Sequence, residues 1–140
     1  MVTDPDRARI YEFDDRQIAS KEMNGDPLIL TMHTQVLNIG SPYPNSLANY
    51  NDAERFLAEH KGKMDLEKLI ELNRSSSLSF QNNQWSANLH SAIFKSSTLD
   101  FWIAIDPPPA TKGKWIGFNL KNELYGEGKE PEPVIIPAEK

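Results

Sequence analysis

The sequence predicts an α+β fold with a mainly antiparallel sheet and two short helices. Segments rich in β-branched and aromatic residues lie near the N-terminus and again over residues 87–120, and this composition is typical of strands. Between them, residues 51–75 carry apolar side chains at helical spacing. The chain has 140 residues, which fits one domain. We therefore predict a single α+β domain over residues 1–124, followed by a proline- and glutamate-rich tail over residues 125–140.

The N-terminal segments predict strands joined by a tight turn. The run "RARIYEFD" (7–14) is aromatic and β-branched, which favours a strand. The turn sequence "NGDP" (24–27) predicts a hairpin between a strand near residues 17–23 and the run "LILTMHTQVL" (28–37). The apolar start of that run predicts a strand that is buried on both faces. The following "NIGSPYPNS" (38–46) is predicted to be a loop because it is rich in Gly, Pro and Asn.

Two amphipathic helices are predicted in the middle of the chain. The first covers "NDAERFLAEHKG" (51–62), with Ser46 or Asn49 as the candidate N-cap and Gly62 as the C-terminal stop. The second covers "LEKLIELNRS" (66–75), and Asp65 is its predicted N-cap. The polar segment that follows, residues 75–86, is predicted to be an irregular connection.

The C-terminal part predicts an antiparallel meander of three strands, over residues 87–96, 99–106 and 114–120. The short connection "STLD" and the proline-rich corner "PPPATKG" (107–113) separate these strands. Alternation sends the large apolar side chains of the meander to both faces, and we expect the tail segment "VII" (134–136) to dock on the rest of the chain.

Charge and composition exclude several classes of function. The net charge is −5 and the basic residues form no stripe, so we predict no nucleic-acid partner. The absence of cysteine excludes disulfides, thiolate metal sites and a cysteine nucleophile within this chain. The three histidines are far apart in sequence, and we predict no metal site and no cofactor. No run approaches the roughly 18 apolar residues of a membrane span. No feature assigns a cellular compartment.

Three stretches resemble the linear-amide C–N hydrolase and isopenicillin N acyltransferase-like families, and more distantly the choloylglycine hydrolases. "LHSAIFKSSTLDFWIAIDPPPATKGKWIGFNL" (89–120) resembles their C-terminal strands, and "SLANYNDAERFLAEHKGKMDLEKLIELNRS" (46–75) resembles the preceding helix pair. "LILTMHTQVL" (28–37) resembles the family strand that carries a "TNH" motif. The resemblance covers most of residues 7–124 in the family's order, and it implies the C-terminal part of an Ntn-hydrolase αββα sandwich.

The resemblance implies an enzyme that hydrolyses or transfers an acyl group on an amide or thioester, and this chain departs from that pattern. Those families use a cysteine exposed at a new N-terminus by autoproteolysis as nucleophile, and this chain contains no cysteine. The family's N-terminal half is not represented. The asparagine of the motif, which would donate to an oxyanion or carbonyl, is Met32 here, which has no donor.

Four residues are candidates for substrate binding under this resemblance: Thr31, His33, Arg74 and His90. Thr31 and His33 flank Met32, so His33 would lie beside the acyl site. Arg74 ends the second predicted helix, where it could bind a substrate carboxylate or interact with the helix dipole. A histidine that hydrogen-bonds a neighbouring loop is the structural alternative for His33, and a histidine at a strand edge is the alternative for His90.

Two functional hypotheses follow from these observations. In the first, the chain is the C-terminal portion of an Ntn-type amide hydrolase or acyltransferase, with its missing N-terminal half as partner and an acylated small molecule as possible ligand. In the second, the chain is a stand-alone, non-catalytic binding or assembly module derived from that fold, and it forms a homodimer through an uncovered sheet face. The reading frame upstream of Met1 distinguishes them.

We predict that this chain alone has no amidase or acyltransferase activity, since it lacks a thiol nucleophile and the asparagine donor. Purified protein should not turn over simple acyl-amide or thioester substrates. Turnover that a single point substitution abolishes would contradict this prediction.

Overall fold

The structure is a computed structural model that describes residues 2–3, 6–31, 33–37, 39–75, 78–81, 84–105, 108–126 and 133–138. The chain divides into two compact units, Met1–Met64 and Asp65–Lys140, and each combines antiparallel strands with helix. The predicted α+β class is confirmed. The border between the units falls between the two predicted helices, and the single domain predicted for residues 1–124 stays a prediction.

The first unit contains a three-stranded antiparallel sheet formed by β1 (Val2–Thr3), β2 (Ala8–Phe13) and β3 (Ile18–Glu22) in that order. The predicted strand over residues 7–14 is confirmed as β2. Its hairpin partner is β3, and the connecting turn is closed by the Asp14 carboxylate, which accepts the backbone N–H of Arg16 and of Gln17 at 2.8 Å each. The predicted hairpin through residues 24–27 is wrong, because residues 27–31 and 33–37 form no strand.

Two helices match the prediction to different degrees. Helix α1 spans Pro44–Glu59 and therefore begins within the predicted loop, because a proline fits the first turn of a helix, where its missing N–H is not needed. Neither predicted N-cap is correct, since Tyr43 occupies that position. Helix α2 spans Leu66–Ser75 as predicted, and the Asp65 carboxylate accepts the Lys68 N–H at 2.9 Å, which confirms the predicted cap.

The second unit contains a hairpin and a four-stranded sheet. Strands β4 (Leu78–Gln81) and β5 (Gln84–Ala87) pair with each other, so the predicted irregular connection is wrong. The four-stranded sheet has the order β6 (Ser91–Lys95), β7 (Asp100–Ala104), β8 (Trp115–Asn119) and β9 (Val134–Ile136). The predicted meander is confirmed, and the docking of the tail segment "VII" is confirmed as β9. A short helix that was not predicted, α3 (Leu120–Tyr125), follows β8 directly.

The core of the second unit lies between α2 and one face of the four-stranded sheet. Trp115 is fully buried, and its indole N–H donates to the Thr111 carbonyl at 3.1 Å in the 3₁₀ turn Ala110–Lys112. The buried cluster and the half-buried side chains packed on it are Ile70, Ile93, Ala104, Ala110, Trp115, Leu66, Leu69, Trp102 and Ile136. Every strand member of this cluster points to the same face, so α2 covers one side of the sheet.

Substitution of Gly117 by alanine is expected to lower the free energy of unfolding by about 1–3 kcal/mol, the usual effect of overpacking. A Cβ at residue 117 would lie 2.5 Å from the Nε1 atom and 2.7 Å from the Cδ1 atom of Trp102, so the indole would have to move. Urea unfolding measures the effect. In a Trp102→Leu background the alanine should have little effect, and an equal destabilisation in both backgrounds would contradict this steric explanation.

Candidate functional site

Two of the predicted site residues meet in one polar cluster of the first unit. The Nδ1 atom of His33 lies 2.9 Å from the hydroxyl of Thr31 and 2.8 Å from the hydroxyl of Ser46 in the first turn of α1. The Tyr50 ring approaches the imidazole edge-on, with ring centroids 5.7 Å apart. Two hydroxyls therefore share one ring nitrogen, and the imidazole links its own loop to α1. This is the structural role considered for His33, in a loop rather than a strand.

The Ser46–His33 contact has the distance of a nucleophile paired with its base, but its surroundings favour a structural role. Ser46 is only 4 % exposed, so a substrate has no direct approach to its hydroxyl. Thr31 also occupies the same imidazole nitrogen that would have to accept the serine proton. Met32, which stands where the family motif has asparagine, lies outside the described residues.

The carboxylate of Glu12 organises the loop that carries this cluster. It is 6 % exposed and accepts three backbone N–H groups, from Gln35 at 2.6 Å, Val36 at 2.8 Å and Leu37 at 2.9 Å. Burial raises the pKa of Glu12, but these hydrogen bonds and the nearby His33 lower it, and the net pKa lies below its ordinary value. The loop therefore surrounds a buried anion instead of forming a strand.

Sequence reasoning missed Glu12, although the sequence contained a signal for it. Ile10 and Glu12 are two residues apart in β2 and are both buried, so they lie on the same face. A carboxylate in the buried register of a strand requires hydrogen-bond donors, and the chain supplies them from 23 to 25 residues away.

The other two predicted site residues lie in the second unit. The guanidinium of Arg74 donates to the Thr111 carbonyl at 3.1 Å and to the Pro137 carbonyl at 2.9 Å, which ties α2 to the 3₁₀ turn and to the segment after β9. These contacts favour a structural role, and carboxylate binding by Arg74 stays a prediction. His90 is exposed immediately before β6, and a substrate-binding role for it also stays a prediction.

The second unit also presents a sheet face made entirely of apolar side chains, which we call the open face. It is the face opposite α2. Its members are Ala92, Phe94, Phe101, Ile103, Ile116, Phe118 and Ile135.

The open face carries a ladder of three phenylalanine rings across neighbouring strands. The rings of Phe94 and Phe101 have centroids 5.8 Å apart, and those of Phe101 and Phe118 are 5.1 Å apart, in both cases nearly parallel. At the two edges of the sheet, Phe94 is 69 % exposed and Ile135 is 58 % exposed. Ala92 is also exposed, and the central members of the face, Phe101, Ile103, Ile116 and Phe118, are half-buried.

Comparison of the chain with models of known protein families, with curated proteins and with solved structures finds no match. Within the residues that the structure describes, no three His, Asp or Glu side chains are grouped so that they could hold a metal ion. In that same part of the chain, every helix is too short or too polar to cross a bilayer.

Replacement of Glu12 by glutamine is expected to lower the free energy of unfolding by about 2 kcal/mol at pH 7, because hydrogen bonds to charged groups contribute about 1.5–3 kcal/mol. The folded-state pKa of Glu12 is lowered, so its stabilisation is complete above the ordinary pKa of 4.5 and is lost as the pH falls through the folded-state pKa. Urea unfolding of both proteins over a range of pH should show the difference shrinking in acid. Glu59→Gln, at an exposed carboxylate of α1, is the matched control. Equal effects of the two substitutions at pH 7 would contradict the role of Glu12.

Proposed function

We propose that this chain is a non-catalytic assembly module that forms a homodimer through the open face. The observation that supports the proposal is the phenylalanine ladder on the open face, where the described strands of a four-stranded sheet carry no polar side chain and Phe94 is exposed. Monomeric proteins rarely expose contiguous apolar patches of more than a few hundred Å2, and such patches mark interaction sites.

A second copy of the chain is the favoured binding partner of the open face, because this face is apolar and uncharged throughout. A charged partner would bury its charges against this face without compensation. A second copy presents the same apolar rows, and a two-fold axis is the commonest arrangement for such a self-complementary surface. Interfaces of homodimers are also more apolar than those between transient partners.

The energetic scale fits a reversible dimer. Complete burial of a phenylalanine or isoleucine side chain contributes about 1.5–3 kcal/mol, and the half-buried members of the face contribute less. Association itself costs roughly 4–15 kcal/mol in lost translational and rotational freedom. Because this cost offsets much of the gain from burial, we expect dissociation in the micromolar range.

The amide-hydrolase hypothesis remains a proposal with less support. The resemblance depends in part on residues 28–37 as a strand, and the described residues of that run form a loop instead. In that hypothesis a further part of a longer protein would cover the open face, and the four candidate residues would contact an acylated ligand. Thr31 and His33 meet, but their hydroxyl and imidazole groups are engaged with each other and with Ser46.

The Phe94→Glu substitution is expected to weaken self-association by at least tenfold, because each copy would bury a carboxylate in the paired faces. Sedimentation equilibrium should show that the wild-type protein approaches twice the chain mass of 15.9 kDa at high micromolar concentration. Leu89→Glu is the matched control, since Leu89 is also 69 % exposed but precedes β6, and it should leave the dissociation constant unchanged. A wild-type protein that stays at 15.9 kDa at these concentrations would overturn the proposal.

A further inference from the structure

A cleft of about 730 Å3 lies within the first unit, between the end of β3 and one side of α1. Its apolar lining comes from both walls and includes Leu28, Ile29, Tyr50, Leu57 and Met64. All five are half-buried, so the cleft keeps apolar surface in contact with water. The size is within the range of about 300–1,000 Å3 that is typical of binding clefts.

One wall of the cleft is a sheet edge that has no strand partner within the described part of the chain. Strand β3 is the last strand of its sheet, and its residues Lys21 and Glu22 line the cleft. Gln17 and Met23, one on each side of β3, form backbone hydrogen bonds toward the β2 side. In an antiparallel pair only every second residue bonds to the partner strand, so the backbone N–H and C=O groups of Ser20 and Glu22 point away from β2. An edge of this kind is able to pair with one more strand.

The charges at the rim indicate which peptide fits. Asp26 and Lys61 form an ion pair of 3.0 Å across the mouth of the cleft, and Glu22 pairs with Arg9 at 2.8 Å. Within the described residues, the ammonium of Lys21 and the carboxylate of Glu54 have no such partner. The cleft therefore presents one available cation and one available anion beside an apolar floor.

We propose that this cleft binds an extended apolar peptide, which adds to β3 as a fourth strand and lies against α1. Backbone pairing with Ser20 and Glu22 supplies affinity for any extended chain, and alternate apolar side chains of the peptide contact the floor. An acidic residue of the peptide faces Lys21 and a basic residue faces Glu54. The proposal concerns the first unit and is independent of the sheet face assigned to dimer formation.

The test uses a blocked heptapeptide with alternating apolar residues, one glutamate and one lysine, titrated into the full chain labelled with 15N. The expected result is chemical-shift change confined to residues 18–29 and 50–64, together with slower hydrogen exchange of the Ser20 and Glu22 amides. Absence of binding at millimolar peptide would overturn the proposal. Shifts of these same first-unit residues that appear without peptide as the protein concentration rises would also overturn it, since the edge of β3 would then pair with a second copy.

Two substitutions test the geometry of the site. Ser20→Pro removes an outward N–H at an exposed edge position, where proline is tolerated, and should weaken binding of the heptapeptide at least tenfold. Ala58→Gln places a longer side chain in the cleft and should have a similar effect. Ala48→Gln is the matched control, at an exposed position of α1 that does not line the cleft, and should leave the dissociation constant unchanged. Equal dissociation constants for Ala58→Gln and Ala48→Gln would overturn the proposal.

A charge exchange and a second probe test the class of ligand. Lys21→Glu should weaken binding of the glutamate-containing peptide about fivefold and restore it for a peptide with lysine at that position. Decanoate carries an apolar chain and a carboxylate but no backbone. If decanoate shifts the cleft resonances and the heptapeptide does not, the site takes amphipathic carboxylates and the peptide proposal is wrong.

Discussion

The buried carboxylate of Glu12 is the constraint on which the first unit depends. Three successive backbone N–H groups from residues 35–37 point at this one side chain. A carboxylate placed on the buried side of a strand is tolerated only when donors replace the water that it loses. Residues 35–37 supply those donors. Their N–H groups are therefore not available for the strand pairing that the apolar sequence of this loop would otherwise favour. A second contact also holds the loop, the hydrogen bond between the imidazole of His33 and the hydroxyl of Ser46 in α1.

This arrangement also explains why an open sheet edge exists in the first unit. If residues 28–37 paired with β3, as their sequence suggests, the outer backbone groups of Ser20 and Glu22 would be satisfied within the chain. Because the loop is drawn to Glu12 instead, β3 remains the last strand and the space between it and α1 becomes a cleft. The proposed peptide would supply the strand beside β3 that the sequence predicts for residues 28–37.

The parts of the fold that could be predicted from sequence are those that depend on short-range patterns. The cap at Asp65 is three residues from its donor, and the alternation within β6, β7 and β8 lies in each strand itself. The missed parts depend on distant contacts or on ambiguous residues. The donors to Glu12 are 23 to 25 residues away, and a proline at residue 44 is compatible with a loop or with the first turn of a helix. Of the candidate site, Thr31 and His33 were found by resemblance, whereas Glu12 and Ser46 were not.

The two proposed surfaces differ in how they limit unwanted association. An unpaired strand edge invites indiscriminate pairing, and charged side chains along it restrict which chains can add. Lys21 of β3 and Glu54 of α1 line the cleft beside this edge, so an incoming strand with the wrong charges meets repulsion or an unpaired buried charge. The open face has no such side chain, and its selectivity must come from shape. A nearly parallel ladder of three rings offers a defined surface that a copy of itself can match, and the core packing of Trp102 over Gly117 holds the strand that carries the middle ring. The first unit is therefore suited to bind a foreign peptide, which it would select by backbone pairing and by charge. The second unit is suited to bind a second copy of itself, which it would select by the shape of an uncharged surface.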